Sequence, residues 1–554
     1  MIDRHAEEYA RFRWRVPADF NIAEWTCRRW SGDAARVALD WEDEGGATLR
    51  LTYRELQESA NRLSNALAAL GIARGDRVAI VLPQRPETVI AYLAVFQMGA
   101  IAVPLSFLFG PDALEYRLAD SGARVAIVDP QTIASLWPAR ERLPALERVI
   151  GVAGAREAGT LAWEALLSKA AEQYAPTATR AQDPAAIIYT SGTTGPPKGA
   201  LLAHRALLGN LPGFEYSHDG FPQEGDYFWS PADWAWTGGL WDALMPTLFH
   251  GRTILGYRGR FDPEVAFSLL EKYPIRNAFL FPTALKMMMR KSAGVHRGRL
   301  RSLMSGGEPV GPAVFHWARE ALGVTVNEIF GQTEMNYIVG NSHALWPVRP
   351  GSMGRPYPGH RVAVIDAGGN EVPRGTVGEV AVHRHWIDGT PDPVFFLGYW
   401  KNPEATAGKF SGDWCRTGDE ARMDDEGYLW YEGRSDDMFK SAGYRIGPAE
   451  IENCLARHAA VANCAVVPSP DETRGAVVKA FVLLSPGETP SEGLKDALRE
   501  HVKRHLAPYQ QPRIIEFVAE LPMTTTGKVQ RRVLRLQEEA RQRFGSTDGV
   551  NASQ

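Results

Sequence analysis

Apolar residues recur along the chain with two periods that alternate. Over residues 53–70, Leu56, Leu63, Leu67 and Leu70 fall at helical spacing. Residues 78–82 then form an unbroken apolar run of strand length. Patterns for a helix (87–98), a strand (101–105), a helix (111–120) and a strand (124–129) follow. Strand patterns return at 186–190, 277–281, 300–305 and 324–330, each leading into a turn with Gly or Pro. Such alternation predicts α/β layers with largely parallel sheets, whose strand ends carry ligand-binding loops. One stretch tests this reading. No charged residue occurs from Thr88 to Gly110, long enough for a membrane span. Gly99 can end a helix and Pro104 would break one, so a buried helix followed by a buried strand is expected, with no membrane span.

From about residue 351 to 399 the pattern changes to short strands, RVAVID and GEVAVH, separated by the turn clusters DAGGNE and VPRGT. This predicts an antiparallel, barrel-like β unit. After Asp436 the alternation restarts on a smaller scale: a helix (448–458), strands (461–467 and 477–484), a helix (493–506) and a strand (513–518). The expected fold class is α/β, with a large N-terminal part (1–435) and a small C-terminal α+β domain (436–554). The polar stretch from about 545 to 554 is expected to fray.

Length and charge narrow the function. A chain of 554 residues is too long for one core and implies two or three packed units. A net charge of −4 gives no basic field for nucleic acid or anionic lipid. The four cysteines lack metal-ligand spacing, and the charged N-terminus lacks an apolar signal core, so reduced thiols in a cytoplasmic protein are expected.

The most specific segment is YTSGTTGPPKG, Tyr189 to Gly199, directly after the strand pattern AAIIY. Thr190, Ser191, Thr193 and Thr194 bring hydroxyl donors. Gly192 and Gly195 let backbone N–H groups close on phosphate oxygens. Lys198 adds a mobile positive charge. This is not the common P-loop, which needs four residues between its glycines and a Lys-Ser/Thr ending. Such a loop suits a triphosphate that is held and then shed as pyrophosphate.

This string resembles the signature of the adenylate-forming enzymes, which include acyl-CoA synthetases, luciferases and peptide-synthetase adenylation domains. The resemblance runs from about residue 50 to 535. It is closest to medium-chain acyl-CoA synthetases, whose strings SGYRIG and RGEVVKAF compare with SAGYRIG (441–447) and RGAVVKAF (474–481) here. It implies an ATP-dependent ligase acting through Mg²⁺ and coenzyme A. The acid first becomes an acyl-adenylate, and the acyl group then passes to the coenzyme A thiol.

The resemblance also implies roles. The turn from Ser305 through Gly307, Glu308 and Pro309 lies along adenine. In the string from Glu328 through Ile329, Phe330, Gly331, Gln332 and Thr333 to Glu334, Phe330 stacks on the ring, Thr333 reaches the α-phosphate and Glu334 holds Mg²⁺. Mg²⁺ prefers one or two carboxylates plus phosphate oxygens, which fits. Asp419 takes the ribose hydroxyls together with Arg434. Asp436 is the hinge of a mobile C-terminal domain. Lys528, in the string LPMTTTGK, bridges carboxylate and α-phosphate. Ala442, Gly443 and Tyr444 run beside the pantetheine, with Arg445 near phosphate and Arg474 on coenzyme A. His458 reads as a helix C-terminal histidine, where its ring suits the dipole, although some relatives hold a structural cation near this position.

For the acid, acetyl-specific relatives carry tryptophan where this chain has Gly331. Its absence implies room for medium-length or branched acids. Trp234, Trp236, Thr237 and Gly238 resemble the segment lining that pocket, although aromatics at this spacing also suit a core. Met335-Asn336 departs from the commoner Thr-Gly. An adenylation unit loading a carrier-protein thiol is the rival within enzymes, and a non-catalytic ATP-binding scaffold the rival outside them. A homo-oligomer is compatible with either.

Overall fold

The uncharged run resolves as helix then strand. In the helix Pro86–Gln97 every residue except Glu87 is buried, and the buried strand Ile101–Pro104 follows. Glu87 is neutralised by Arg85, whose guanidinium donates to it at 2.7 Å. The helix Tyr53–Ala69 starts at a reciprocal cap. The Thr52 hydroxyl accepts from the Glu55 backbone, and the Glu55 carboxylate accepts from the Thr52 backbone. Its leucines at 56, 63 and 67 are fully buried. These elements come from a computed structural model. It describes residues 3–545 except 191–195, 293, 295, 297, 435–436, 442–443, 472–474, 507–509 and 525–527, and it leaves out the side chains of 440, 441, 444, 445 and 542–545. Among the described residues no helix is long and apolar enough to cross a membrane.

The chain divides into two compact units, residues 1–362 with 382–415, and residues 363–381 with 416–554. Two sheets build the first unit. In the eight-stranded sheet, Pro184–Thr190, Ile101–Pro104, Arg77–Val81, Val125–Val128, Arg148–Gly151 and Leu161–Ala162 run parallel. Lys198–Ala203 and then Gly398–Tyr399 extend its edge, each antiparallel to its neighbour. The nine-stranded sheet has a parallel centre: Val326–Gln332, Ser302–Gly306, Asn277–Phe279, Tyr227–Trp229, Thr253–Arg258 and Val37–Asp43. Antiparallel strands close both margins, Asn336–Gly340 with Arg355–Pro356 on one and Thr48–Thr52 on the other. Mixed sheets of this kind bear out the α/β expectation.

The short-strand region contributes a five-stranded sheet of Val362–Ile365, Val377–His383, Trp414–Met423 and Phe410–Ser411, with Leu429–Arg434 paired to Trp414–Met423. Farther along, Val461–Asp471, Gly475–Leu484 and Ile514–Phe517 form a three-stranded sheet. The helices Pro448–Leu455 and Glu492–His505 accompany it, close to their sequence ranges. A last helix, Arg531–Gly545, is absent from the sequence reading. Only Leu534 is a buried apolar residue in its described part. Leu534 packs with Ala465, Val467 and Phe481 of the sheet, and polar contacts add to this: buried Glu538 accepts from Lys479 Nζ at 2.6 Å and from the Ser469 hydroxyl at 2.8 Å. All four cysteines are buried and none is in a disulfide.

Candidate active site

Within the first unit, the site is built from strand ends of its two sheets. The hairpin Pro184–Thr190/Lys198–Ala203 brings Thr190 opposite Lys198, and the Thr190 hydroxyl donates to the Lys198 carbonyl at 3.3 Å. Ser191, Gly192, Thr193, Thr194 and Gly195, on which much of the phosphate reading rests, lie outside the described residues. Their flanks are well anchored. Tyr189 is buried and donates to Asp120 at 2.6 Å; burial and that carboxylate push its phenol far up. Tyr116 donates to the Pro197 carbonyl at 2.9 Å. The Lys198 ammonium sits 4.9 Å from the ring centre of Tyr399.

The second sheet supplies the turn 306–310 and the string 328–334. Ser302–Gly306 runs parallel to Val326–Gln332, with Gly306 against Ile329. A Cβ on Gly306 would meet the Ile329 carbonyl at 2.6 Å, and Gly307 takes a φ of 91°. The small residues therefore have a backbone reason as well as any ligand reason. Glu308 accepts from the Thr283 hydroxyl at 3.3 Å. Glu328 is buried, and burial pushes its carboxyl up to about 8. Its Oε1 accepts from the Val310 N–H at 3.3 Å, while its Oε2 has no partner among the described residues. A neutral carboxyl offers one donor and one acceptor side by side. Phe330 follows, half-buried at the strand end.

Val326–Gln332 then turns back as Asn336–Gly340, with a register shift between Phe330 and Gly331. The tight return carries Thr333 and Glu334. The Thr333 hydroxyl accepts from that of Thr237 at 3.1 Å, and the Gln332 side chain accepts from Lys409 at 3.0 Å. Glu334 is only 6% exposed. Its backbone carbonyl accepts from the Phe396 N–H at 2.9 Å, and its carboxylate accepts from the Tyr399 hydroxyl. Tyr399 thus touches both the Glu334 carboxylate and the Lys198 ammonium, a link between residues far apart in sequence that no local spacing announces.

The departure at Met335-Asn336 has a local cause. Asn336 adopts φ 49°, a left-handed conformation that Asn tolerates better than most non-glycine residues. Gly331 also has a cause that the sequence does not display. A Cβ there would lie 1.8 Å from the Asn336 carbonyl oxygen and 2.4 Å from the Tyr337 Cα. The glycine is needed where the two hairpin strands cross, so it is not simply a missing pocket wall. Gly331→Ala should therefore cost about 1–3 kcal/mol of stability, read as a lowered midpoint in urea unfolding. An unchanged midpoint would mean that the hairpin yields freely there.

Of the residues expected to line an acid pocket, Trp234 is fully buried and belongs to the core, whereas Trp236 and Thr237 are half-buried. Trp236 meets Phe109 edge-on at 5.7 Å. Thr237 opens the short helix Thr237–Gly239 and reaches Thr333 as above.

In the second unit, Asp419 and Arg434 are cross-strand partners. Arg434 donates to the buried Asp419 at 3.3 Å, and the Tyr431 hydroxyl donates to the other carboxylate oxygen at 3.4 Å. Tyr444 and Arg445 lie on a strand paired with Phe439–Ser441. Asp436, Ala442, Gly443 and Arg474 lie outside the described residues, as do the side chains of Tyr444 and Arg445. Lys528 is exposed; its N–H donates to the Thr524 hydroxyl at 3.0 Å and its carbonyl accepts from the Thr524 N–H at 2.7 Å.

Known proteins resemble this chain over nearly its whole length. Residues 24–400 match the AMP-binding enzyme family, and residues 450–528 match the AMP-binding enzyme C-terminal domain. The chain is 37% identical to an uncharacterized acyl-CoA ligase, YtcI, of Bacillus subtilis, covering 95% of this chain and 97% of that one. It is 35% identical to the mitochondrial acyl-coenzyme A synthetase ACSM4 of Rattus norvegicus, covering 95% and 92%. A crystal structure of the anthranilate CoA ligase AuaEII in complex with anthranoyl-AMP superposes with a TM-score of 0.86 at 30% identity, over 95% of this chain and 98% of that one. The strand-end hairpins and the full-length likeness agree, and the chain belongs to the AMP-binding enzyme family.

Proposed function

We propose that this protein is an AMP-forming acyl-CoA synthetase. A carboxylic acid and ATP give acyl-AMP and pyrophosphate, and acyl-AMP and coenzyme A then give acyl-CoA and AMP. The observation that carries the reading is the Glu334–Tyr399–Lys198 cluster. It sets a buried carboxylate near a cation on the hairpin that flanks the hydroxyl-rich loop.

In this reading the acid's carboxylate oxygen attacks the α-phosphorus and pyrophosphate leaves. Thr190, the loop 191–195 and Lys198 hold the phosphates, and Thr333, ordered by Thr237, donates to the α-phosphate. The turn 307–309 and Phe330 bracket adenine, and buried Glu328 fixes that turn from beneath by accepting from the Val310 N–H. Asp419 and Arg434 take the ribose. Glu334, an oxygen ligand held in place by Tyr399, fits a magnesium ion, which would supply neutralisation of phosphate charge. Lys528 offsets the repulsion between the two approaching anions. Asp436 serves as the hinge between residues 1–435 and 436–554, and residues 442–445 with Arg474 take coenzyme A.

Medium-length or branched acids remain the proposed substrates. The crossing at Gly331 gives that glycine a second explanation, so a panel of acids decides better than the residue does. A cytoplasmic setting, where four buried thiols stay reduced, goes with this reading.

The test is acid-dependent exchange between pyrophosphate and ATP, followed by thioester yield with coenzyme A. Exchange with several acids and higher thioester yield from medium-length or branched acids than from acetate are expected. No exchange with any acid would favour a scaffold. Thioester formed only on a phosphopantetheinyl carrier would favour the carrier-loading reading.

A further inference from the structure

The helix Glu492–His505 carries His501 and His505 four residues apart, so both rings fall on one face. That face meets the helix Pro448–Leu455, whose buried Cys454 lies beneath it. One ligand atom from each of Cys454, His501 and His505 lies within 4.8 Å of the other two. Tetrahedral zinc holds nitrogen and sulfur at about 2.0–2.3 Å, which spaces its ligands roughly 3.5 Å apart. Small rotamer changes close that gap.

The ring contacts supply a second, independent observation. His501 Nε2 lies 3.0 Å from the Cys454 carbonyl, and His505 Nδ1 lies 2.8 Å from the His501 carbonyl. A carbonyl only accepts, so each ring donates one N–H and keeps its other nitrogen bare. Metal-ligating histidines are oriented in this way, with one ring nitrogen tied to a carbonyl and the other left for the metal. His458 plays a different part. Its Nδ1 accepts from the Ala460 N–H at 3.3 Å, and its ring packs edge-on against His501 at 5.4 Å, so it backs the cluster without joining it.

We propose that Cys454, His501 and His505 form a zinc site that staples the last turn of the helix Glu492–His505 to the helix Pro448–Leu455. Water completes the tetrahedron on the solvent side, where His505 is exposed. One thiolate and two imidazoles select a borderline cation such as Zn²⁺ over Mg²⁺ or Ca²⁺, which prefer oxygen. Binding releases the Cys454 thiol proton to solvent, and no oxidation state changes. None of the three residues is among those assigned to adenylation or to coenzyme A, so the role of the site is to stabilise.

Co²⁺ is the probe, added to the full-length chain held reduced with a phosphine. One equivalent should produce a thiolate-to-cobalt charge-transfer band and the intense visible bands of a four-coordinate ion, and Zn²⁺ should displace both. Cys454→Ser should abolish the charge-transfer band, while Cys464→Ser should keep it. His505→Ala, an exposed change that leaves the core alone, should weaken Co²⁺ by more than about 10-fold, since even outer-shell losses cost that much. Zn²⁺ should raise the melting midpoint of the unmutated chain but not of Cys454→Ser. Absence of the band, its persistence in Cys454→Ser, or its loss in Cys464→Ser would overturn the proposal.

Discussion

Lys528→Ala should slow adenylate formation by roughly a thousand-fold, the upper range for losing one pre-placed charge or donor at a reacting centre. Thioester formation from supplied acyl-adenylate should stay close to normal. The fold gives a reason to expect so clean a division. Lys528 is exposed and is fixed only through its backbone, by the two bonds to Thr524 and the Met523–Val529 bridge. Its side chain makes no bond among the described residues, so removing it should leave the melting midpoint unchanged. A lost rate is then lost chemistry. In the first half-reaction two anions must meet, and a cation between them lowers the barrier. In the second, a thiol meets an already activated acyl group and needs no such cation. Pyrophosphate–ATP exchange measures the first step, and single turnover from synthetic acyl-adenylate measures the second. Equal losses in both would refute the assignment.

Glu334→Gln comes next in expected size, with a fall in adenylation of about 10²–10³-fold. The substitution keeps the shape and one acceptor for the Tyr399 hydroxyl, but removes the negative charge. The sharper readout is magnesium dependence: the concentration giving half-maximal exchange should rise. A general packing defect would lower the rate at every magnesium concentration without moving that midpoint. If rate and midpoint both match the unmutated protein, Glu334 does not hold the metal.

Much of this was legible in the sequence, for reasons particular to each element. The helix at 87–98 and the strand after it could be placed because Gly99 and Pro104 punctuate an otherwise featureless apolar run. The strings at 189–199 and 328–334 could be placed because their residue types follow strand patterns directly. Other features left no local trace. Tyr399 reaches Glu334 across 65 residues of chain, through a two-residue edge strand too short to show a period. The helix Arg531–Gly545 shows little in the sequence because Leu534 is its one buried apolar residue among those described, and the Lys479–Glu538 ion pair beside it adds no apolar period. Gly331 was read through its missing side chain, when the neighbouring strand also requires that absence.

The segment 396–400 has a consequence for how the protein is made. Its N–H groups at 396, 397 and 400 reach the carbonyls of Glu334, Leu201 and Gly199, so one short stretch sews the phosphate-side hairpin to the acid-bearing turn of the other sheet. A nascent chain that ends before this stretch already has both hairpins but lacks the thread that aligns them. Under the proposed roles, a chain released before residue 396 should therefore bind ATP more weakly than the finished protein, and equal binding would show that the stretch is dispensable.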